Sequence, residues 1–501
     1  MPTTLIGVWL PLLVLATLMS WSEKQEGDTM IHPCSQAEKA LLKTKFYPFW
    51  LDDPDAPKAA DKLTSDVSCD LLIVGAGFTG LWAAIQAKEA DPNRKVIIIE
   101  AGTAATGASG RPAAILSTSV MHGLSNAQRL FPNDISRLEE LGKQNIDGFR
   151  DAIDKFKIDC DLEWSGELTV AVGEAGMADV EKEYSLYGEY GHDVELLNKE
   201  SLEKEITSPL FNGGVWSKQR SGIVNPAKLA WGLRRAAGEL GVTVYEYTPM
   251  VSSELTTNGV QVATPEGKIN ANKVLLATNA FAAGDKRIKR RVAAIRDRIV
   301  VTEPLSPEQL ALIGWEHRQG IYDTRTQLNY MRLTKDNRIL FGGRLGYFFN
   351  NDTDPSADKL ANAYLPLVEN FYRTFPMLRD ISFSHAWSGP IGLTTRMAVH
   401  YQSYHQGKML YAGGYSGFGV TASRFGARVA LAKLDGEDTE ETRMAFATEL
   451  PGYIPPEPFR WLGAKITMYC LDTVDEKGGW RHWWIKMVEK IGFPVTQNEL
   501  G

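Results

Sequence analysis

The sequence predicts an α/β protein of two interleaved domains, one built on a mostly parallel sheet and the other, of α+β type, on an antiparallel sheet. Residues 69–100 have the pattern of a complete strand–helix–strand unit, and residues 273–281 supply another buried strand far downstream. Residues 327–333 and 338–344 flank a turn-forming stretch, which indicates an antiparallel hairpin. A length of 501 residues also favours more than one domain.

The strand–helix–strand unit contains a glycine motif that is typical of nucleotide binding. Residues 71–74 are an apolar run, as expected for a strand buried on both faces of a parallel sheet. Gly75, Gly77 and Gly80 follow at the spacing G-x-G-x-x-G. The first glycine permits a tight turn, the second lets the backbone approach a pyrophosphate, and the third lets the helix pack closely on the strand.

The remainder of the unit indicates a dinucleotide. The helix at residues 81–90 presents its free N-terminal amides to phosphates, and the strand at residues 95–99 leads to Glu100, which is placed to accept hydrogen bonds from a ribose diol. A carboxylate at this position disfavours a 2′-phosphate, so we expect FAD or NAD and not NADP. The alternative is a tight turn without a ligand. It is disfavoured because strand, glycines, helix, second strand and carboxylate all occur in order.

The distant strand favours FAD over NAD. The segment ending at Val251 leads the chain back towards the nucleotide-binding sheet, and residues 273–281 place Ala277 and Thr278 at the end of a buried strand. A simple NAD-binding domain is complete within about 150 residues, whereas a split FAD-binding domain closes over its cofactor with a much later strand.

Two further stretches are rich in small residues. Residues 101–114 allow the backbone to come close to a flat ligand, although a flexible surface loop is the alternative. Residues 408–426 repeat the order strand, glycine loop, helix, and amides at such a helix start can hold a carbonyl oxygen of a flavin. The predicted cofactor-binding residues are Gly75, Gly77, Phe78, Thr79, Gly80, Glu100, Ser109, Gly110, Arg111, Val251, Ala277, Thr278, Gly413, Gly414, Gly417, Phe418, Gly419 and Val420.

Other patterns place secondary structure between these stretches. Helical periodicity covers residues 126–156 and 176–202, and residues 160–172 indicate a strand. Asn225 followed by Pro226 predicts the N-cap and first residue of another helix. The predicted division is a hydrophobic extension (1–29), an FAD-binding domain in three parts (46–125, 225–290 and 386–440), a substrate domain in two parts (126–224 and 291–385) and a C-terminal helical tail (441–501).

Charge and cysteine content exclude several classes of protein. A formal net charge of −7 argues against a nucleic-acid partner, which would favour a strongly basic surface. The four cysteines, at positions 34, 69, 160 and 470, are too scattered for a disulfide framework, and no Cys-x-x-Cys pair suggests zinc or a redox couple. We therefore expect free thiols and no metal site.

The N-terminus allows two interpretations. Residues 5–19 form an uncharged apolar run, which has the length of a signal-peptide core but lacks a preceding basic residue and a clear cleavage site. As a signal or anchor it would make the protein secretory or membrane-associated, with membrane contact through this segment. Alternatively, the run is an upstream extension of a cytoplasmic protein whose natural start is near Met30.

A series of short motifs follows one order along the chain. They are PFWLDD at 48–53, VGAGFTGLWAA at 74–84, GASGR at 107–111, NPAKLAWGLRRA at 225–236, LLATNAF at 275–281, TEPL at 302–305, DNRILFGGR at 336–344, HAWSGPIG at 385–392 and YAGGYSGFGV at 411–420. Over residues 46–495 the chain thereby resembles the FAD-dependent D-amino acid oxidase superfamily, particularly its γ-glutamylputrescine oxidoreductase-like and DadA-like proteins.

The resemblance implies a Rossmann-like domain with FAD bound across its sheet, and oxidation of a C–N bond. A hydride would pass from the carbon bearing a neutral amine to flavin N5, the imine would hydrolyse, and oxygen or another acceptor would reoxidise the flavin. Such a step requires orientation and a desolvated amine more than a strong acid or base. This agrees with the lack of an obvious catalytic triad or metal-ligand cluster in the sequence.

Three departures from the family pattern bear on the site. Where many relatives read GASGRNGG, this chain has Pro-Ala-Ala at residues 112–114, which alters the surface facing the flavin. An Arg-Met pair at residues 396–397 replaces a usual Asp-Gly pair, which puts one cofactor contact in doubt. Members with covalent flavin use a histidine or cysteine near the glycine loops. Residues 100–121 and 408–421 contain neither, so we expect non-covalent FAD.

The candidate substrate-site residues are Tyr330 and Arg332 on the predicted hairpin, with His385, Trp387 and Tyr415 as walls. A Tyr-x-Arg sequence in a strand puts both side chains on one face, which suits a clamp for a carboxylate. The same pattern equally suits a solvent-facing ion pair.

The sequence thus predicts an FAD-dependent oxidoreductase that acts on an amine or amino acid, with a small amine-like substrate and oxygen or another electron acceptor as partners. Two alternatives stay open. The first is an FAD-dependent enzyme acting on a larger secondary metabolite, which a pocket altered at residues 112–114 would admit. The second is a flavin-binding protein without catalysis.

Overall fold

The computed structural model describes residues 35–493 and 495–496, and the chain forms two compact units, Met1–Lys39 and Ala40–Gly501. Of the first unit only residues 35–39 are described. The apolar run at residues 5–19, predicted to be a signal, an anchor or an extension, lies outside the described residues. Within the described part of the chain, no helix is both long enough and apolar enough to span a membrane.

Strands and helices alternate along the chain. The strands are β1 (Val67–Val74), β2 (Val96–Ile99), β3 (Ile115–Leu116), β4 (Glu167–Val172), β5 (Val194–Asn198), β6 (Phe211–Ser217), β7 (Gly222–Ile223), β8 (Thr243–Tyr245), β9 (Ser252–Leu255), β10 (Val260–Ala263), β11 (Lys268–Leu276), β12 (Ala293–Thr302), β13 (Gly320–Asp323), β14 (Asn329–Leu333), β15 (Ile339–Tyr347), β16 (Phe383–Leu393), β17 (His400–Tyr404) and β18 (Met409–Gly413). The helices are α1 (Gln36–Leu41), α2 (Phe78–Ala90), α3 (Leu124–Leu130), α4 (Ile135–Lys155), α5 (Gly173–Glu189), α6 (Lys199–Leu202), α7 (Pro226–Glu239), α8 (Pro307–Ile313), α9 (Leu365–Thr374), α10 (Gly419–Asp435), α11 (Glu440–Arg443), α12 (Ala445–Thr448), α13 (Phe459–Lys477) and α14 (Trp480–Lys490).

The first sheet is the nucleotide-binding type that the sequence predicts. Its order is β17-β18-β11-β1-β2-β8, in which neighbouring strands from β18 to β8 run parallel and β17 is antiparallel to β18, while β10 and β9 extend it from β11. Leu71 and Ile73 of β1 join helices α2, α7 and α10 in one core cluster, and Leu72 and Val74 join β2, β10 and β11 in another. Because side chains alternate along a strand, β1 is buried on both faces.

The second sheet forms a separate layer. Its order is β16-β12-β15-β14-β13-β4-β6-β5. All neighbouring strands in it are antiparallel except β13 and β4, which run parallel. The predicted hairpin is present as β14 and β15, and Asn225 caps α7 by accepting hydrogen bonds from two backbone amides. These two sheets confirm the predicted fold class.

Two details of the predicted layout differ from the structure. The predicted helix at residues 176–202 is interrupted by β5, because Val194–Asn198 pairs with β6 at the sheet edge. In addition, the predicted domain border between residues 385 and 386 falls inside β16, which pairs with β12 along the second sheet. The other borders stay predictions.

Candidate active site

Two adjoining cavities lie where the sheets meet. The first, of about 940 Å³, lies at the carboxyl ends of β1, β2 and β11, the edge at which parallel sheets bind ligands. The second, of about 440 Å³, lies over one face of the second sheet. Both volumes are in the usual range for small-molecule sites. The residues that line both cavities are Ala108, Arg111, Pro112, Ile391, Gly417 and Val420.

The first glycine turn opens the first cavity. Gly75 has φ +109°, a left-handed value that glycine adopts without strain. A Cβ atom on Gly80 would lie 2.0 Å from the carbonyl oxygen of Gly75, so only glycine allows α2 to pack this closely on β1. The N-cap residue of α2 is Gly77, which has no side chain to cap the helix, and the amide of Phe78 donates to Ser109 Oγ at 2.9 Å. Gly77, Phe78 and Thr79 line the first cavity, so the helix start faces it, as phosphate binding requires.

Glu100 is held in place by two backbone amides. Its Oε2 accepts a hydrogen bond from the amide of Ala76 at 2.8 Å, and its Oε1 accepts one from Gly102 at 2.9 Å. The side chain lines the first cavity, where the remaining lone pairs of both oxygens are available to hydroxyl donors.

A second glycine corner closes the same cavity from the other side. After β18 the chain turns through Gly414 and Gly417, with φ +87° and +99°, and α10 begins at Gly419. Asn279, which sequence reasoning missed, accepts a hydrogen bond from the amide of Gly414 at 2.8 Å and so fixes this turn to the end of β11. The two corners meet directly, because Thr79 Oγ1 donates to Tyr415 Oη at 3.1 Å.

The chemistry of the first cavity fits FAD. It combines a helix start, a fixed carboxylate and a second amide-rich corner in one space. Most of the predicted cofactor-binding residues line it. Gly80, Gly110, Gly413 and Gly414 do not, and Phe418 lines the second cavity instead. Gly110 acts through packing, since a Cβ atom there would lie 2.4 Å from the carbonyl oxygen of Ala105.

The second cavity has one face of the second sheet as its floor. Alternate residues of β12 line it, namely Ile295, Asp297 and Ile299, together with Trp387 of β16 and Tyr330 of β14. The Pro112 and Ala113 side chains line it as well, so the unusual segment after Arg111 does face this space.

Tyr330 reaches across a neighbouring strand to Asp297. Its Oη donates to Asp297 Oδ2 at 2.6 Å, although β15 lies between β14 and β12. The ring passes over Gly342, where a Cβ atom would come within 2.1 Å of the ring. Gly342 therefore leaves the space that this hydrogen bond needs.

Asp297 is the functional candidate that sequence reasoning missed. Burial raises the pKa of its carboxyl group to about 6 and outweighs the lowering effects of the hydrogen bond from Tyr330 and of the neighbouring Arg298 backbone. Among the described residues, no donor reaches its buried Oδ1. The available signal was the sequence Ile-Arg-Asp-Arg-Ile at residues 295–299, in which an acidic residue shares one strand face with two isoleucines, a position where carboxylates are rare unless they have a role.

Arg332 does not line either cavity. The side chain is 1% exposed, and its guanidinium donates to the carbonyl oxygens of Ala113, Val224 and Leu333. Burial lowers the pKa of Arg332 to about 9. Its donors hold loops together beneath the site, so the expected carboxylate clamp with Tyr330 is not formed in this geometry.

The other three predicted substrate residues lie in three different places. Trp387 lines the second cavity, and its Nε1 donates to the carbonyl oxygen of Arg111 at 2.9 Å. Tyr415 lines the first cavity and not the second. His385 lines neither, because its Nε2 lies 3.1 Å from Asp52 Oδ2 and its ring packs edge-on against Phe49. Burial lowers the pKa of His385.

Arg111 joins the two cavities through a buried ion-pair network. Its Nη1 donates to Asp358 Oδ2 at 3.1 Å and to the carbonyl oxygen of Ser388 at 2.6 Å. Asp358 also pairs with Arg296 of β12, which is 1% exposed, and accepts a hydrogen bond from the Ser388 hydroxyl. The two guanidinium groups therefore share one carboxylate as their counter-charge inside the protein.

Two histidines that line the cavities lie just outside residues 100–121 and 408–421. His122 lines the second cavity with its ring 4.1 Å from that of Phe418, and burial lowers its pKa to about 4. His405 lines the first cavity. The absence of histidine from residues 100–121 and 408–421 therefore does not exclude one from the site, and non-covalent attachment stays a prediction.

Comparison with known proteins agrees with this geometry. The family model DAO, described as FAD dependent oxidoreductase, matches residues 70–433. Gamma-glutamylputrescine oxidoreductase of Escherichia coli K12 is 30% identical over 417 residues, which cover 81% of this chain and 93% of that protein. The probable oxidoreductase OrdL of Haemophilus influenzae is 29% identical over 384 residues, covering 75% of this chain and 85% of OrdL.

A solved structure shows the same fold. The crystal structure of glycine oxidase from Geobacillus kaustophilus superposes with a TM-score of 0.63 at 20% sequence identity, covering 74% of this chain and 96% of that one.

Proposed function

Because this chain belongs to the DAO family of FAD-dependent oxidoreductases, we propose that it oxidises a carbon–nitrogen bond of a small amine or amino acid. The chain is an FAD-dependent oxidoreductase, and FAD is its cofactor. When bound, FAD supplies the two-electron acceptor, with N5 of its ring as the atom that takes a hydride from the carbon bearing the amine.

The observation that carries this proposal is the junction of the two cavities. A cavity suited to a dinucleotide and a smaller cavity with an apolar floor share six lining residues, so a ligand in each would meet at this junction. The main requirement of the reaction is contact between the substrate carbon that donates the hydride and the flavin ring that accepts it. No base has to remove a proton from that carbon.

The residues of the second cavity have roles that suit an amine. Ile295, Ile299 and Trp387 exclude water and pack against the carbon chain of the substrate. Asp297 and Tyr330 offer polar atoms to its nitrogen. The relatives support the same class of bond, since one is named for γ-glutamylputrescine and another for glycine.

The test is a visible absorption spectrum of the purified protein, recorded while amines and amino acids are added without oxygen. We expect the oxidised flavin bands to bleach with at least one of these donors. Admission of oxygen, with an assay for peroxide, or addition of a dye then distinguishes an oxidase from a dehydrogenase. A flavin that no amine, amino acid or larger amine metabolite bleaches would contradict the proposal.

A further inference from the structure

We propose that Asp297 binds the cationic amino group of the substrate and accepts its proton, with Tyr330 as the residue that positions the carboxylate. This inference rests on the proposed function, because it assigns a residue and a substrate class to the same site. Four features of the second sheet support it: the direction of the side chain, its free oxygen, the apolar surroundings and the pairing of nearby cations.

A β-bulge directs Asp297 into the second cavity. Between β12 and β15, Asp297 is opposite Leu345 and Arg298 is opposite Gly343, so Arg344 is an extra residue with φ +73°. Bulges of this kind re-aim side chains and are frequent beside active sites. Arg298 points away from Asp297, and its Nη1 lies 3.4 Å from the carbonyl oxygens of Arg344 and Leu345.

The two carboxylate oxygens of Asp297 have different surroundings. Oδ2 accepts the hydrogen bond from Tyr330, whereas Oδ1 is buried and has no donor among the described residues. A buried charged oxygen without a donor is costly, and an ammonium group is the donor that best removes this cost. Ile295 and Ile299 flank Asp297 on the same face, so the attraction acts in a medium of low dielectric constant.

The proton transfer balances without any further reactant. One N–H bond of the substrate ammonium breaks, an O–H bond forms on Asp297, and the electron pair remains on nitrogen. The two charges cancel, and the amine becomes neutral, which is the form that C–N oxidation needs. Burial brings the pKa of Asp297 closer to that of the amine, which makes it a better proton acceptor than an exposed aspartate.

The charges around Asp297 indicate which amines are accepted. The titratable groups that line the same cavity are Arg111, His122, Asp179, Lys182, Asp323 and Arg325, and Tyr322 and Tyr330 face it from β13 and β14. Arg111 is paired with Asp358, and Arg325 is paired with Asp323. Lys182 is exposed on α5.

The arginines of the second cavity are therefore engaged, and an α-carboxylate on the substrate would meet the negative charge of Asp297. Like charges at close range in an apolar cavity disfavour binding. We infer that the preferred substrates are cationic amines without a carboxylate on the carbon that carries the nitrogen.

The experiment measures binding separately from turnover. tert-Butylamine has no hydrogen on the carbon bearing nitrogen and cannot be oxidised there, so its dissociation constant for the FAD-loaded protein is determined by calorimetry. Asp297→Asn should raise this constant about tenfold or more, as loss of a buried charge-assisted hydrogen bond does. The matched control is Asp336→Asn, since Asp336 lies in the exposed turn between β14 and β15 and lines neither cavity.

The pH dependence of the wild type gives a test that needs no variant. tert-Butylamine stays protonated from pH 5 to pH 8, so a loss of affinity on acidification reports the carboxylate. Because the pKa of Asp297 is about 6, binding at pH 5 should be about tenfold weaker than at pH 8. A flat profile, no saturable binding by the wild type, or an Asp297→Asn variant within twofold of the wild type would each overturn the assignment.

A second ligand tests the substrate class. 2-Aminoisobutyrate carries the same blocked carbon with a carboxylate, and we expect it to bind more weakly than tert-butylamine. Tighter binding would overturn the preference for amines without an α-carboxylate. If amino acids bleach the flavin while Asp297→Asn binds tert-butylamine as tightly as the wild type does, this inference is rejected and the proposed function stands. Bleaching by no donor would reject the proposed function instead.

Discussion

The hydroxyl group of Thr79 donates a hydrogen bond to the hydroxyl group of Tyr415 at 3.1 Å, across 336 residues of chain. Thr79 belongs to the first glycine turn and Tyr415 to the second, so this bond joins the two corners of the cofactor cavity. Both side chains are buried, with exposed fractions of 7%, and this bond gives each hydroxyl group a partner. The cavity is thus closed by direct contact between the corners and not only by the sheet beneath them.

The bond between the corners should contribute to FAD affinity. Thr79→Val and Tyr415→Phe each remove one hydroxyl at nearly constant volume, and each should cost about 1 kcal/mol of stability and weaken FAD binding several-fold. Flavin fluorescence titration of apoprotein and thermal unfolding measure the two effects. Because both changes remove one bond, the double variant should be little worse than either single variant. Additive losses would show that the hydroxyl groups act separately.

Gly342→Ala should displace Tyr330. The added Cβ atom would lie 2.1 Å from the ring, so the ring must move and its hydrogen bond to Asp297 must break or lengthen. We expect kcat/KM for the best amine to fall at least about tenfold, with FAD content unchanged. Gly188→Ala is the control, because nothing lies within 4 Å of its Cβ position in α5. Equal kinetics of both variants would remove Tyr330 from its positioning role.

Asp358→Asn should destabilise the protein strongly. The change removes the counter-charge of Arg296, which is almost fully buried, and of Arg111. Breaking a buried ion pair from one side costs about 3–5 kcal/mol. Urea unfolding at neutral pH measures the loss, and release of FAD should precede global unfolding because Asp358 lines the first cavity. An unfolding midpoint like that of the wild type would contradict the buried network.

Asp297→Asn should stabilise the folded protein at alkaline pH. The pKa of Asp297 is raised from 3.8 to about 6 in the native state, so its contribution to stability is complete below pH 3.8 and is lost as the pH rises through 6. At pH 8 the variant should therefore be more stable by up to about 3 kcal/mol, an upper limit because water enters the cavity. At pH 4 the difference should disappear. Melting temperatures across this range measure it, and a variant less stable than the wild type at pH 8 would contradict the raised pKa.

FAD should leave the protein on acid precipitation. We expect the flavin in the supernatant, although His122 and His405 line the cavities. His122 is packed against Phe418, and burial keeps it neutral. Yellow colour retained in the washed precipitate would show a covalent bond, and His122→Ala would then identify whether this residue forms it.

The sequence predicted the cofactor side better than the substrate side, for a physical reason. Gly75, Gly80 and Glu100 act through the backbone of one local unit, so their spacing alone reports their geometry. The substrate cavity is assembled from β12, β14 and β16, which are distant in the chain, and its shape depends on a bulge that no local pattern encodes.

Tyr330 and Arg332 show the limit of a pattern argument. They share one face of β14, as alternation requires. Arg332, however, lies beneath the loops that carry Ala113 and Val224, and the carbonyl oxygens of these two residues accept its hydrogen bonds. Periodicity gives the face of a strand and does not say what covers that face at each point along it. Asp297 was missed for the same reason, because only pairing with β15 shows where it points.

The network around Asp358 also constrains how small molecules enter and leave. Arg111 comes from the loop after β2, Arg296 from the second sheet, and the carboxylate of Asp358 bridges the two. Swinging the two sheets apart would separate Arg111 from its carboxylate partner inside the protein, which is a barrier to hinge opening. Lys182 of α5 lines the second cavity and is exposed, so we expect small molecules to enter and leave on this side while the two sheets stay together through each catalytic cycle.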